Sequence, residues 1–278
     1  MSRGALLHAL ADDESRIEEV ALAIASDAYP GLDLARQHRV LDDLAAPLLG
    51  PIAAARHPRE AADLLNARLF GDLGFRGNEA SYYDPRNSYL NDVLERRLGI
   101  PITLAVVMMA VGRRAGLVVE GVGFPGHFLV RIGGVRGHFA DPFHRGKALS
   151  RDELLELAER FDARGPDGRV VEPIEALGAY LRPVEPRAMA SRMLANLQQI
   201  FERAGDHARA LVVCDRLVDV SGAPHHRRDR GKHALALGSM RQARVDLSAY
   251  LREVPDAPDA AALQRDLERA TREEPPLH

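Results

Sequence analysis

From Pro101 to Arg114 the sequence PITLAVVMMAVGRR is apolar at almost every position until its closing arginine pair. Leu104, Val107, Met108 and Val111 fall on one helical face, and Ile102, Ala105, Val106 and Met109 fill most of the rest. A helix apolar almost all round is a buried helix, so the remainder of the chain has to enclose it. Pro101 suits a first turn and Gly116 a stop. The stretch from Asn87 to Phe143, which contains this helix, is the part the chain is organised around.

After Gly116 the period changes. LVVEGVGF (117–124), HFLVRI (127–132) and VRGHFA (135–140) are short, β-rich and broken by Gly or Pro, which predicts three antiparallel strands. Helix followed by strands makes the block α+β. A two-residue turn at Gly133-Gly134 would pair Ile132 with Val135 and His127 with Ala140. It would also line up Phe128, Val130, Ile132, Val135 and Phe139 on one face. That register sends Asp141 to the face opposite His127. Bringing the two together demands a three-residue loop, or a bulge or strand end at Ala140-Asp141.

The flanks read as helices. Residues 14–28, 33–49 and 58–70 carry helical spacing, with Pro47 and Gly50-Pro51 closing the second and Gly71 following the third. Residues 71–87 form an ordered loop pinned by Phe75, Tyr82 and Tyr83. Ser88 is placed to cap a helix reaching Leu98, and Ser150 with Glu153 forms a capping box for 150–161. Residues 163–187, rich in Gly and Pro, are the linker. From Arg187 the pattern is helical and repetitive: Gly205 and Gly238 stand 33 positions apart, as do Ala210 and Ala243. Small residues there suit closely crossing helix pairs, and the spacing is similar to tetratricopeptide repeats, whose period is about 34.

Net charge is −3 and charged residues make up 28%, so no global field points to nucleic acid or an acidic membrane. The N-terminal MSRGALLHALADDESR has no signal-peptide core and no apolar run has membrane-spanning length. The single Cys214 excludes an internal disulfide and a cysteine-cluster metal site. A cytoplasmic protein is the expectation.

The candidate chemistry lies in FPGHFLV and FADPF. A His oriented by a carboxylate acts as a general base, the Asp fixing its tautomer, and His127 with Asp141 could be such a dyad. The spacings of His127, His138, His144 and Asp141 match no standard metal motif, so no metal is assigned, and no cofactor. GVGFPG joins strand to strand and is no dinucleotide loop. HHRRDRGKH (225–233) reads as a solvated helix start. Asn87, Tyr82 and Tyr83 are placed at the cleft mouth.

YYDPRNSYLNDVLERRLGIPITLAVV, GVGFPGHFLVR and ADPFHRG, followed by two repeat-like units with RDRG at 228–231, resemble the bacterial SirB family over nearly the whole chain. That family is described as transglutaminase-like with C-terminal tetratricopeptide repeats. The resemblance implies a papain-like transglutaminase core: a nucleophile at a helix N-terminus, then His and Asp on successive strands. His127 and Asp141 match the last two. The first falls at Pro101 to Thr103, where no Cys stands, and Thr103 is the only hydroxyl there. A thiol is the far better nucleophile near neutral pH, and Cys214 belongs to the repeats as a small core residue.

The expected architecture is therefore a mostly helical α+β protein. It has an N-terminal helical region (1–75), a papain/transglutaminase-like core with a small antiparallel sheet (76–182), and tetratricopeptide-like hairpins (183–278). The expected role is peptide or protein binding, or regulation, through the cleft and the repeats. The alternative is a hydrolase or transferase using His127 and Asp141, with Thr103 or water attacking.

Overall fold

The computed structural model describes residues 4–11, 16–160 and 173–273 of the 278-residue chain. The chain forms two compact units, Met1–Met189 and Ala190–His278. The protein is mostly helical with a small antiparallel sheet.

The first unit begins with helices α1 (Gly4–Ala9), α2 (Ile17–Ala28), α3 (Leu34–Ala45), α4 (Leu49–Ala54) and α5 (Pro58–Asn66). Strand β1 (Arg76–Gly77) and helix α6 (Leu90–Arg96) lead to β2 (Leu98–Gly99), which pairs in parallel with β1. Helix α7 (Pro101–Arg114) is the apolar helix anticipated above. All of it is buried except Met109, Arg113 and Arg114. Helices α2, α3 and α6 pack on α7, and so do the first two strands of the sheet that follows. Each fully buried Val, Leu, Ile or Met contributes about 1.5–3 kcal/mol relative to exposure, so this helix anchors the unit.

The sheet is a meander of β3 (Val119–Val122), β4 (Leu129–Ile132), β5 (His138–Asp141) and β6 (Lys147–Leu149). One strand more than anticipated is present, because KAL was too short to stand out. Gly112 lets β3 close on α7; a Cβ there would lie 2.5 Å from a Val119 methyl. The opposite face, carrying Val122, Leu129 and Phe139, is covered by α8 (Arg151–Arg160) and α9 (Pro173–Tyr180) through Leu154, Ala158 and Leu177. The Ser150 capping box is present: Glu153 N–H donates to Ser150 Oγ at 3.2 Å and Ser150 N–H to Glu153 Oε2 at 2.9 Å.

Several local expectations are corrected. The second helix does not end at Pro47 or Gly50-Pro51; Pro47 lies in a 3₁₀ turn and α4 continues to Ala54, since Pro is tolerated in a first turn. Ser88 caps nothing: its Oγ is buried without a partner, α6 starts at Leu90, and Asp84 caps the preceding 3₁₀ turn instead. Of the three aromatic residues expected to pin the 71–87 loop only Phe75 is buried, Tyr82 and Tyr83 being exposed. The hairpin loop is five residues, Gly133–Gly137, so Ile132 faces His138 and Val135, meant for the core, is 88% exposed. Of the linker proposed over 163–187, residues up to 172 lie outside the described residues; from Pro173 the chain is α9 and then a bridge between Pro183 and Val122.

Glu18 on α2 is 1% exposed and is held by the guanidinium groups of Arg113 and, at 2.7 Å, Arg114. Burial pushes its carboxyl up, but the Arg114 hydrogen bond and the neighbouring Arg113 charge outweigh this, so its pKa lies below the ordinary 4.5. A carboxyl lowered on folding stabilises above its unfolded pKa, and that contribution is lost as pH falls through the folded one. Urea-unfolding free energy is therefore expected to fall as pH drops below about 5, with a shallower dependence in Glu18→Gln. An unchanged slope in that variant would remove Glu18 from the acid response.

In the second unit, α10 (Pro186–Arg203), which begins just before it, is followed by α11 (His207–Ser221), α12 (Pro224–Ala236), α13 (Met240–Glu253) and α14 (Ala260–Arg272). Successive helices pack from α11 to α14. Ala210 and Ala243 are fully buried. Gly205 and Gly238 instead occupy the turns before α11 and α13 with φ of +65° and +77° and open space around them. Their role is left-handed backbone, not close crossing. The close crossing belongs to Gly231, where a Cβ would meet Leu247 at 2.9 Å. HHRRDRGKH is not a solvated face. Arg230 binds both oxygens of Asp246 on α13 at 2.7–2.8 Å and Asp215 on α11 at 2.6 Å, and Arg227 pairs with Glu253 at 2.8 Å.

Candidate functional site

The site is built on the turn after β5. Asp141 ends the strand, and its carbonyl accepts the Gly146 N–H at 2.8 Å. Its Oδ1 accepts the backbone N–H groups of Phe143 at 2.9 Å and His144 at 3.2 Å, an Asx turn that wraps the chain round the carboxylate. Three features hold the turn. Arg145 and Gly146 take left-handed φ of +56° and +69°. Asn66 donates to the Gly146 carbonyl at 3.0 Å. The Phe143 carbonyl accepts the Gly77 N–H at 3.2 Å, and its ring lies so close to Gly77 that a Cβ there would sit 2.5 Å from it.

His127 precedes β4 rather than starting it. It sits in a turn with its N–H donating to the Phe124 carbonyl at 3.1 Å, and Gly126 supplies a φ of +63°. Its Nε2 is 2.8 Å from Asp141 Oδ2. His144 Nδ1 reaches the same oxygen at 2.7 Å. Two imidazoles thus converge on one carboxylate oxygen. The side chains of His127 and Asp141 are 11% and 7% exposed and that of His144 57%, so the cluster has a closed floor and an open side. Burial pushes the Asp141 carboxyl up, but hydrogen bonds and charge from His127 and then His144 hold it below its ordinary value. The one carboxylate therefore orients both imidazoles. A polar cleft of about 650 Å³, lined by Arg76, Gly77, Glu79, Phe143, His144 and Arg145 among others, adjoins the exposed side.

Thr103 is engaged elsewhere. It is fully buried, its hydroxyl donates to the Asn87 carbonyl at 2.7 Å, and it accepts the Ile100 N–H at 3.1 Å, capping α7. Asn87, placed at the cleft mouth from sequence, is also fully buried. Its amide donates to the Ser81 and Tyr82 carbonyls at 2.7 and 3.2 Å and its oxygen accepts from Asn78 at 3.0 Å. Tyr82 does reach the site region, its ring 5.9 Å from that of Phe143. Cys214 is fully buried in the second unit, and burial first, then nearby acids, push its thiol far up.

The residue missed as a partner of the dyad is His144. Its signal is the spacing in Asp141-Pro-Phe-His144, since an Asx turn folds the third residue back on the carboxylate. His138 is excluded by strand alternation: it faces away from Asp141, and burial with the nearby Arg59 charge lowers its pKa.

With this geometry in place, the relatives become informative. The pattern described as the transglutaminase-like superfamily matches residues 35–195, and a tetratricopeptide repeat pattern matches 197–268. A UPF0162 protein of Xylella fastidiosa is 39% identical over 252 residues, covering 89% of this chain and 87% of that protein. The chain belongs to the UPF0162 family. A UPF0162 protein of Pseudomonas aeruginosa is 32% identical, covering 81% of this chain and 80% of the other. Mouse F-box only protein 21 is 37% identical over 155 residues, covering 52% of this chain and 22% of that protein. In this UPF0162 protein the transglutaminase-like match spans His127, Asp141 and His144, and the repeat match holds Cys214. No helix among the described residues is long and apolar enough to cross a membrane.

Proposed function

We propose that this UPF0162 protein, of the SirB kind, binds a peptide or protein segment at its transglutaminase-like region without thiol chemistry, the repeats adding a partner surface. The observation that carries this reading is the start of α7. Pro101, Ile102 and Thr103 are buried, and the one hydroxyl among them is committed to the Asn87 carbonyl. A nucleophile needs access to substrate and a base to activate it; a sealed capping hydroxyl has neither. Thr103 is therefore assigned to structure and His127 with Asp141 to the site. The region 76–182 is the core in this reading, resting on residues 1–75. The protein works in the cytoplasm, and its buried lone cysteine suits a reducing compartment.

A second reading, water-dependent hydrolysis, is favoured by one observation: Asp141 orients two imidazoles, and a so-oriented base can activate water as well as a side chain.

The test is a panel of glutaminyl, amide and ester substrates, with and without an amine acceptor, run beside peptide-binding measurements on the full chain. Binding that weakens in His127→Ala while circular dichroism is retained, without turnover, is the expected result. Turnover abolished by His127→Ala but untouched in Cys214→Ala would replace the first reading with the second. Amine transfer lost in Cys214→Ala would sink both.

A further inference from the structure

We propose that His127, Asp141 and His144 form the protein's ligand set for one divalent cation of the zinc class. One nitrogen of each ring and a carboxylate oxygen all lie within 4.8 Å of one another, which no other group of His, Cys, Asp or Glu among the described residues is found to match. Two imidazoles and one carboxylate suit borderline divalent ions, while magnesium and calcium prefer all-oxygen shells. The separations also fit. Tetrahedral ligands at about 2.0–2.1 Å from an ion stand about 3.3 Å apart. The nitrogens now stand 2.8 and 2.7 Å from Asp141 Oδ2, about half an ångström short of that spacing.

The surroundings are those of a metal carboxylate. Asp141 Oδ1 is occupied by two backbone N–H groups, which leaves Oδ2 as the single ligating oxygen and fixes its direction. An ion would take a lone pair from each ring and one from the carboxylate together. His127 and Asp141 form the buried floor and His144 stands half in solvent beside the polar cleft. A three-ligand set open on one side retains a position for water or a ligand group. Spacing alone did not reveal the set, because His127 arrives from the preceding turn and only the Asx turn brings His144 back.

The experiment uses the full chain dialysed against chelator and titrated with Co²⁺, read by visible absorption, and with Zn²⁺, read by calorimetry. One saturable equivalent is expected. His127→Ala and His144→Gln should each weaken it by more than the roughly 10- to 100-fold that losing an orienting partner costs, with His225→Ala unchanged. His144 is exposed, so its variant is expected to fold even where His127→Ala does not, and a Zn²⁺-induced rise in Tm that is absent from His144→Gln gives a second readout. No saturable binding, or binding indifferent to His144→Gln, would overturn the proposal. These readouts need no turnover and no peptide, so their failure leaves the binding reading standing on its own test.

Discussion

Asp246→Ala is expected to cost the repeat unit about 3–5 kcal/mol, the range for removing one partner of a buried ion pair. Asp246 is 1% exposed, both its oxygens are engaged by Arg230, and Gln242 donates to it at 2.8 Å. Removing the carboxylate leaves a guanidinium with 14% of its side chain exposed and only Asp215 to answer it. The loss would exceed that of an exposed pair such as Arg269 with Glu273, for which roughly 0–1 kcal/mol is typical. Urea denaturation of Asp246→Ala and Glu273→Ala makes the comparison. Replacing both Asp246 and Arg230 by apolar residues of similar size should recover much of the loss, because the pair's own desolvation cost is then removed too. A single-variant cost below about 1 kcal/mol would show that water reaches the network and that its bonds are not what braces α11, α12 and α13.

Asn87→Ala is expected to destabilise the first unit by on the order of 3 kcal/mol, since the buried Asn78 amide and two loop carbonyls lose their partner at once. The Ser81 and Tyr82 carbonyls both accept from its amide nitrogen, and its oxygen accepts from the Asn78 amide and, at 3.5 Å, from Arg96. The isosteric Asn87→Asp separates bonding from packing. It keeps the volume but sets an acceptor against two carbonyls, so it should be no better than Ala. If Asp restored stability, packing alone would explain the position. Because the Asn87 carbonyl also receives the Thr103 hydroxyl, loosening this residue frays the start of α7.

The central helix was legible from composition alone, because a segment apolar on every side has only one place to be. The sheet was legible in kind but not in register. A two-residue turn gives the cleaner apolar pattern but sends Asp141 to the wrong face; β5 does end at Asp141, and it is the longer loop that sets the register. The five-residue loop that restores their common side could not be read, because Gly133, Gly134 and Gly137 permit several turn lengths and exposed Val135 resembles a core residue. The arginines at 227–230 look solvated because, the neighbouring Asp229 apart, their acidic partners lie 15 to 31 positions away. Charge pairing between helices leaves no local trace, whereas a cap such as Ser150 with Glu153 is written in four consecutive residues.

The burial of Cys214 gives the molecule a practical transparency. A thiol that is sealed and held protonated is a poor target for maleimides or peroxide. The folded protein thus resembles a cysteine-free background, and a single new thiol at an exposed position would be its one reactive handle. Val135, at the tip of the β4–β5 hairpin, is such a position. A fluorophore attached there would watch the strand pair that carries Asp141 without touching the carboxylate or either imidazole.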